Sequence, residues 1–376
     1  MTWPNVTINQ LNQYQGTTKE VERVLLYIGI GTETGGLLSV NSQSDFDALL
    51  GAGDSVLKSN VKAAFANAGQ NTFGYVQVLS TEAKTEDWVA AVKAAQAVAS
   101  VEGVVLLIDV KEKADIAAAN TLRAELIARF GRWVWFILSV QGILETETWA
   151  EYETRLAALE NGVAAFGVQL VPRLWGNEPG VLAGRLCNRS VTIADSPARV
   201  KTGPLLEIGS TEKPVDKDGL EISLANLQTL NANRYSVPMW YPDFDGMYWA
   251  DGMTLDVEGG DYQVIEYLRT VDKAARRVRL QAITKIGDRS MNSTPGSIAA
   301  NQVFFSRTLR EMSRSTQINN VAFPGEVKPP RDGDVVITWM DSKTVSIYLT
   351  VRPYESPKAI TVNILLDTSL ETETRQ

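Results

Sequence analysis

The sequence predicts a mixed fold, α/β and α+β: a mainly parallel α/β domain, then a region of two long helices and a small sheet. Three observations predict it. From Val24 onward, short apolar runs alternate with helical patterns, the rhythm of βαβ units around a parallel sheet. From Asp261, two helical stretches follow each other, each with a basic face. Finally, Thr344 to Asp367 carries period-2 patterning in two consecutive segments, the mark of strands with one buried face.

Residues 1–22 read as an arm. Val6 and Ile8 alternate with Thr7 and Asn9 in one short strand, and the polar stretch after it contains Gly16. Such a segment cannot bury a core of its own. The α/β domain is expected over 23–200. Its strands are Val24–Ile30, Phe73–Ser80, Val104–Val110, Arg132–Val140 and Ala165–Val171, apolar along their length as strands covered on both faces should be. Helices are expected between them: Ser44 capping a short one, then Val56–Ala68, Thr85 to about Ser100, Asp115–Phe130 stopped by Gly131, Glu147–Leu159 and Gly180–Asn188. Residues 201–260 change character. Gly, Pro and Asp rise, and Trp240, Tyr241, Phe244, Tyr248 and Trp249 sit among turn residues, which predicts short strands and turns rather than helix.

Helix returns at Tyr262–Ile286, with Val264, Ile265, Leu268, Val271, Ala274, Val278 and Ala282 spaced by three and four. Its other face is basic, with Lys273, Arg276, Arg277 and Arg279, which fits either a solvated face or a stripe that docks an acidic partner. A second helix, Ser297–Met312, carries Arg307 and Arg310, with Arg314 just beyond. After a Pro-rich crossing come the strands Val335–Trp339 and Val345–Val351. Pro353 and Pro357 then bracket a break, and Ile360, Val362, Ile364 and Leu366 alternate in a last strand. A strand in that position can pair in its own sheet or with another copy. The divisions are therefore 1–22, 23–200, 201–260, 261–356 and 357–376.

Composition narrows the chemistry. The 376 residues carry a net charge of −8, which disfavours nucleic-acid binding. No apolar run reaches the length of a membrane span, and no secretory signal is visible. There is no histidine, which removes imidazole bases and His-containing metal sites. The single cysteine, Cys187, reads as a small core residue and cannot form an internal disulfide. The loop Gly29–Gly36 has a dinucleotide-like look, but Gly29, Gly31 and Gly35 are spaced one residue too long and no helix follows, so it reads as a strand-end turn. Asp109, at a strand end, has no partner carboxylate or nucleophile in view. No catalytic, cofactor or metal residues are expected. The aromatic cluster reads as packing at a domain junction, since basic residues are not interleaved with it.

The run YQVIEYLRTVDKAARRVRLQAITKIGDRSMNSTPGSIA, the crossing FPGE, and the strands VSIYLTVRP and PKAITVNILLD resemble the C-terminal domain of contractile phage tail sheath proteins of the Mu-like and related myophage branch. GVLAGRLCNRSVTIADSPARV, residues 180–200, is similar to the stretch between outer and inner domains in that family. The resemblance implies a structural subunit, stacked with itself as six-fold rings in a helical sleeve around an inner tail tube. That sleeve contracts to drive the tube through a host envelope. Baseplate and tail terminator proteins are implied as further partners, with no direct contact to nucleic acid or membrane. The implied place is the virion tail, assembled in the host cytoplasm. It implies, too, that N- and C-terminal arms from neighbours complete the small sheet of the inner, tube-facing domain. On this chain the N-arm strand would carry Val6 and Ile8, and the donated C-terminal strand Ile360, Val362, Ile364 and Leu366. The acceptor would be Val335–Trp339 with Val345, Ile347, Leu349 and Val351. Lys273, Arg276, Arg277, Arg279, Arg307 and Arg310 are the candidates for facing the tube. Another tail component (tube, terminator or baseplate) is the nearest alternative, and a cofactor-using α/β enzyme the more distant one.

Overall fold

A computed structural model of the chain describes residues 21–32 and 35–366. The expected N-terminal strand, with Val6 and Ile8, lies outside them, as does everything beyond Leu366.

The chain runs β1 (Leu25–Ile30), β2 (Leu38–Asn41), α1 (Phe46–Leu50), α2 (Val56–Ala68), β3 (Phe73–Leu79), α3 (Thr85–Val98), β4 (Gly103–Val110), α4 (Lys113–Phe130), β5 (Trp135–Val140), α5 (Trp149–Glu160), β6 (Val168–Pro172) and α6 (Glu178–Cys187). Six strands form one sheet in the order β2-β3-β1-β4-β5-β6, parallel except for β2, which pairs antiparallel with β3. The continuous apolar runs have a direct cause. Leu25, Tyr27, Val105 and Leu107 enter a core with α2 and α6, while Leu26, Ile28, Val104 and Leu106 enter a second core with α3, α4 and α5. Both faces of each strand are covered, so neither parity can be polar. Gly131 ends α4 in the left-handed conformation (φ 61°), which a residue without Cβ adopts at little cost.

Helices α2 and α6 cross closely because α6 presents Gly180 and Gly184 at the contact. A Cβ on either would collide with the backbone carbonyls of Asn60 or Ala64. Asn60 answers at the same crossing: its Oδ1 accepts the Gly180 N–H at 2.9 Å.

Residues 201–260 depart from expectation. They contain a helix, α7 (Leu224–Ala232), capped by Ser223, whose hydroxyl accepts the Asn226 N–H at 3.3 Å. A hairpin follows, β7 (Pro238–Tyr241) with β8 (Phe244–Trp249). Leu227, Leu230, Tyr235 and Val237 join the core of α3–α5, and Trp249 joins that of α2 and α6. The stretch is therefore packed into the α/β body. Of the aromatic cluster, Trp249 is buried, while Tyr241, Phe244 and Tyr248 pack on one another at the hairpin tip with Phe244 exposed.

Beyond this lie α8 (Ile265–Ile283), α9 (Pro295–Met312), the hairpin β9 (Thr316–Ile318) with β10 (Val321–Phe323), and the pair β11 (Val335–Trp339) with β12 (Val345–Leu349). The start of α8, at Ile265 and Leu268, is buried in the α/β body. Its later turns, through Ala274, Val278 and Ala282, belong to two small cores shared with α9 and β11–β12.

Candidate functional site

Among the described residues the small sheet has no third strand on either edge. β11 and β12 are antiparallel, with Val335 opposite Leu349, Ile337 opposite Ile347 and Trp339 opposite Val345. Thr350 N–H donates to Asp334 C=O at 2.8 Å and Met340 N–H to Thr344 C=O at 2.9 Å. In an antiparallel ladder, bonded and non-bonded pairs alternate. The outward N–H and C=O groups therefore belong to Val335, Ile337 and Trp339 on β11, and to Val345, Ile347 and Leu349 on β12. Those same residues face the core made by Phe305 and Met291. The β11 edge is partly answered, because Gln302 Nε2 donates to Val335 C=O at 3.0 Å. No side-chain donor or acceptor meets the β12 edge among the described residues. Beside it runs a groove of about 650 Å³, lined by Ile283, Ile286, Trp339 and Val345, with Arg279 and Lys343 on its rim.

The terminal segment is the counterpart. Ile360, Val362, Ile364 and Leu366 join no ladder among the described residues, and their side chains are 76%, 73%, 89% and 88% exposed. A run of large aliphatic side chains left in water is unusual for a chain with ample core. Its root is held. Arg352 pairs with Asp334, Lys328 with Glu355, and Lys358 with both Asp251 and Glu266. Val351 packs with Leu349 on the small core of Ala274 and Leu309.

The two basic faces separate. Lys273 and Arg276 do not form a free stripe; both are committed within the chain. Lys273 Nζ lies 2.6 Å from Glu326 Oε1, and Arg276 lies 2.9 Å from Glu22 Oε1 and donates to Trp133 C=O at 3.2 Å. Arg279 is exposed but lies over Gly131. For Lys273 and Arg276 the acidic partner is the chain itself. Two further pairs deepen the joint. Arg269 donates to both oxygens of Glu102, at 2.7 and 2.9 Å, and Arg123 to both oxygens of Asp272, at 2.7 and 3.0 Å. All four side chains are buried. Burial alone would raise the Glu102 carboxyl, but Arg269 overrides it and holds the group down at about 2. By contrast Arg307 and Arg310 on α9 are exposed, around a shallow cleft with Val303, Phe304 and Arg314; Arg307 also meets Glu311 at 2.8 Å.

The remaining candidates resolve into structure. Asp109 accepts from Arg173 Nε at 2.9 Å and from the Ser139 hydroxyl at 2.6 Å, an ion pair across strand ends. Gly29 and Gly31 sit where a Cβ would crowd Leu57 and Val78, and β2 rather than a helix follows them in the chain. Cys187 is buried and its thiol is pushed up to about 12 by burial. Among the described residues no cluster of His, Cys, Asp and Glu is placed to hold a metal, and no helix is long and apolar enough to cross a membrane. Sequence reasoning missed Lys358, Asp251, Glu266 and Gln302. The local signal was an acid, Glu266, beside Ile265 and Leu268 at the buried start of α8.

Comparison with known proteins gives the family and the fold. Residues 3–253 match the DUF2586 N-terminal domain and residues 261–369 the DUF2586 C-terminal domain. A protein of Haemophilus phage HP1 (strain HP1c1), assigned as a tail sheath protein, is 52% identical over 374 residues, 97% of this chain and 98% of that protein. Among solved structures, the contracted PVC sheath complex of an extracellular contractile injection system shares the fold, with a TM-score of 0.61 and 14% identity over 98% of each chain. A chain of the anti-feeding prophage baseplate does so at 0.63 and 12% identity, over 98% of this chain and 100% of that one.

Proposed function

This chain belongs to the DUF2586 family of tail sheath proteins, and from that premise we propose that it stacks with itself as six-membered rings around an inner tail tube and contracts to drive that tube through a host envelope. It is a structural subunit of a contractile tail and not an enzyme. The observation that carries the proposal is the pairing of an open sheet edge with an unpaired strand in one chain. β12 offers the N–H and C=O groups of Val345, Ile347 and Leu349, and Ile360 to Leu366 offers a segment of strand-like alternation that joins no ladder among the described residues.

In this reading the terminal strand of one copy adds to β12 of another. Charge supports the choice of edge. Asp367, Glu371 and Glu373 follow the strand in sequence, and Arg279 and Lys343 rim the groove beside β12. Val6 and Ile8 would supply a second arm strand. Arg307 and Arg310, exposed on α9, are the residues proposed to meet an acidic face of the tube. Baseplate and terminator proteins would close the two ends of the sleeve, the virion tail would be its place, and the host cytoplasm its site of assembly.

Electron microscopy of the purified full-length chain tests this. Tubes of stacked rings are expected, and a chain lacking residues 357–376 should fold and fail to form them. Tubes formed as readily by the shortened chain would remove strand donation from the account. A full-length chain that closes into single rings would point to a terminator or baseplate role instead.

A further inference from the structure

The last point at which the terminal segment is held to the body is Lys358. Its ammonium sits between carboxylates from two different elements: Asp251, just after β8, and Glu266 in the first turn of α8, whose Oε1 is 2.9 Å away. The Glu266 side chain is 2% exposed and its Oε2 has no hydrogen-bond partner. Asp251 also accepts the Gly252 N–H at 2.6 Å. Among the described residues, Lys358 is the one cation paired with either acid; Asp195 and Arg199 line the same cavity of about 620 Å³ and pair with each other at 3.5 Å. Every described residue from Tyr354 on is exposed, and only at Lys358 is a side chain of this stretch drawn back to Asp251 and the buried Glu266. Before it, the holds are weaker or more distant: the exposed Lys328–Glu355 pair, and Arg352 on Asp334.

The geometry points to Lys358 as a positioning residue for assembly, a catch that fixes where the terminal segment starts and therefore how far it reaches. The inference rests on the strand-donation reading above. From a closed catch, residues 359–366 in extended form span about 26 Å at ~3.3 Å per residue. With the catch open and the exposed Lys328–Glu355 pair released as well, the chain is held at Arg352 and the intervening residues 353–358 add about 20 Å. Pro353 and Pro357 keep this stretch out of any ladder, so it is free to pay out. An exposed pair would open and close readily. This one does not, because opening leaves the buried Glu266 without its counter-charge and beside a second carboxylate. A neighbour moving away during contraction would therefore pull the segment taut, then gain slack at one step.

The test uses spin labels on the full chain at Val98→Cys on α3 and Val362→Cys on the segment, both exposed in the native chain. Cys187 is buried, with its thiol held high, so it stays unlabelled. In the unassembled protein, Lys358→Met should widen the distance distribution at least twofold, the double change Asp251→Asn with Glu266→Gln should do the same, and Lys358→Arg should restore the native width. An unchanged width in Lys358→Met would overturn the catch. The donation reading is tested apart from it, by a chain ending at Ala359 with the catch intact. If that chain assembles like the full one, donation fails whatever the labels report.

Discussion

Ile364 and Leu365 are neighbours with similar exposure, 89% and 92%, yet strand donation assigns them opposite fates. In a strand, adjacent side chains point to opposite faces. Ile364 shares the parity of Ile360, Val362 and Leu366 and would enter the acceptor's core; Leu365 would stay on the outer face. In the unassembled chain neither packs on anything, so Asp at either position should leave the fold's stability within about 0.5 kcal/mol of native. On donation, Ile364 would contribute about 2–3 kcal/mol from burial of its side chain. An aspartate there forfeits that and must also bury or avoid a carboxylate. A loss of about 3 kcal/mol per contact corresponds to roughly a hundredfold weaker association, at ~1.4 kcal/mol per factor of ten. Pelleting across a concentration series reads this as the critical concentration for assembly, and thermal melting of the unassembled chain supplies the control. Ile364→Asp should raise the critical concentration about a hundredfold and Leu365→Asp by far less. Equal effects of the two variants would refute the proposed register, and no effect from either would refute donation.

Other expectations follow from the body of the protein. Arg269→Met leaves Glu102 buried and unpaired and should cost about 3–5 kcal/mol in urea unfolding, with part recovered when Glu102 is also made apolar. The same pair predicts acid sensitivity. The unfolded chain takes up the Glu102 proton near 4.5 and the folded chain only near 2, so stability is full above about 4.5 and is lost as pH falls toward 2. That interval is worth about 3 kcal/mol at ~1.4 kcal/mol per pH unit, and unfolding followed between pH 6 and pH 2.5 measures it. Gly184→Ala drives a methyl into the Ala64 carbonyl and should destabilise by about 1–3 kcal/mol, whereas Gly296→Ala, with open space around it, should not. Charge reversal at Arg307 and Arg310 should leave melting unchanged and weaken co-sedimentation with tube protein, increasingly so at low salt.

What could be read from the sequence is what local patterning encodes. Val56–Ala68 and Val335–Trp339 emerge with the expected bounds, since an alanine-rich amphipathic run and a five-residue alternation leave little choice. Elements decided by pairing were missed. β2 is a four-residue strand with one buried residue, Val40, and owes its existence to β3. The β9–β10 hairpin announces itself only through Asn319 and Asn320, both left-handed at φ 49° and 63°, as its tight turn requires. α7 hides because its neighbours are rich in Pro and Gly, although Ser223 and Asn226 form a capping box. The basic stripe of α8 is a different case. Charge spacing along a helix says which residues share a face, not what covers it, and the acids that meet Lys273 and Arg276 lie 53 and 254 positions away. The terminal segment keeps the alternation of a strand in its sequence, yet it forms no strand among the described residues, since it has no ladder partner there.

That last point bears on how such a subunit could stay apart before the proposed assembly and bind tightly within it. The α/β body is self-sufficient: every strand of its sheet except the short β2 is largely buried, and its joint to α8 is locked by Arg269–Glu102 and Arg123–Asp272. The β11–β12 pair is the opposite case. A two-stranded sheet is marginal alone and persists here by leaning on Phe305 and Met291. Adding a third strand turns the outward groups of Val345, Ile347 and Leu349 into ladder bonds and buries four aliphatic side chains, so the least complete part of the fold gains most from a neighbour. Placing the donor strand in the same chain would satisfy the edge at once and leave nothing to drive polymerisation. In the proposed account the Lys358 catch holds the root of the segment at the α/β body, against Asp251 and Glu266, and the aliphatic side chains beyond it stay in solvent for a second copy to take.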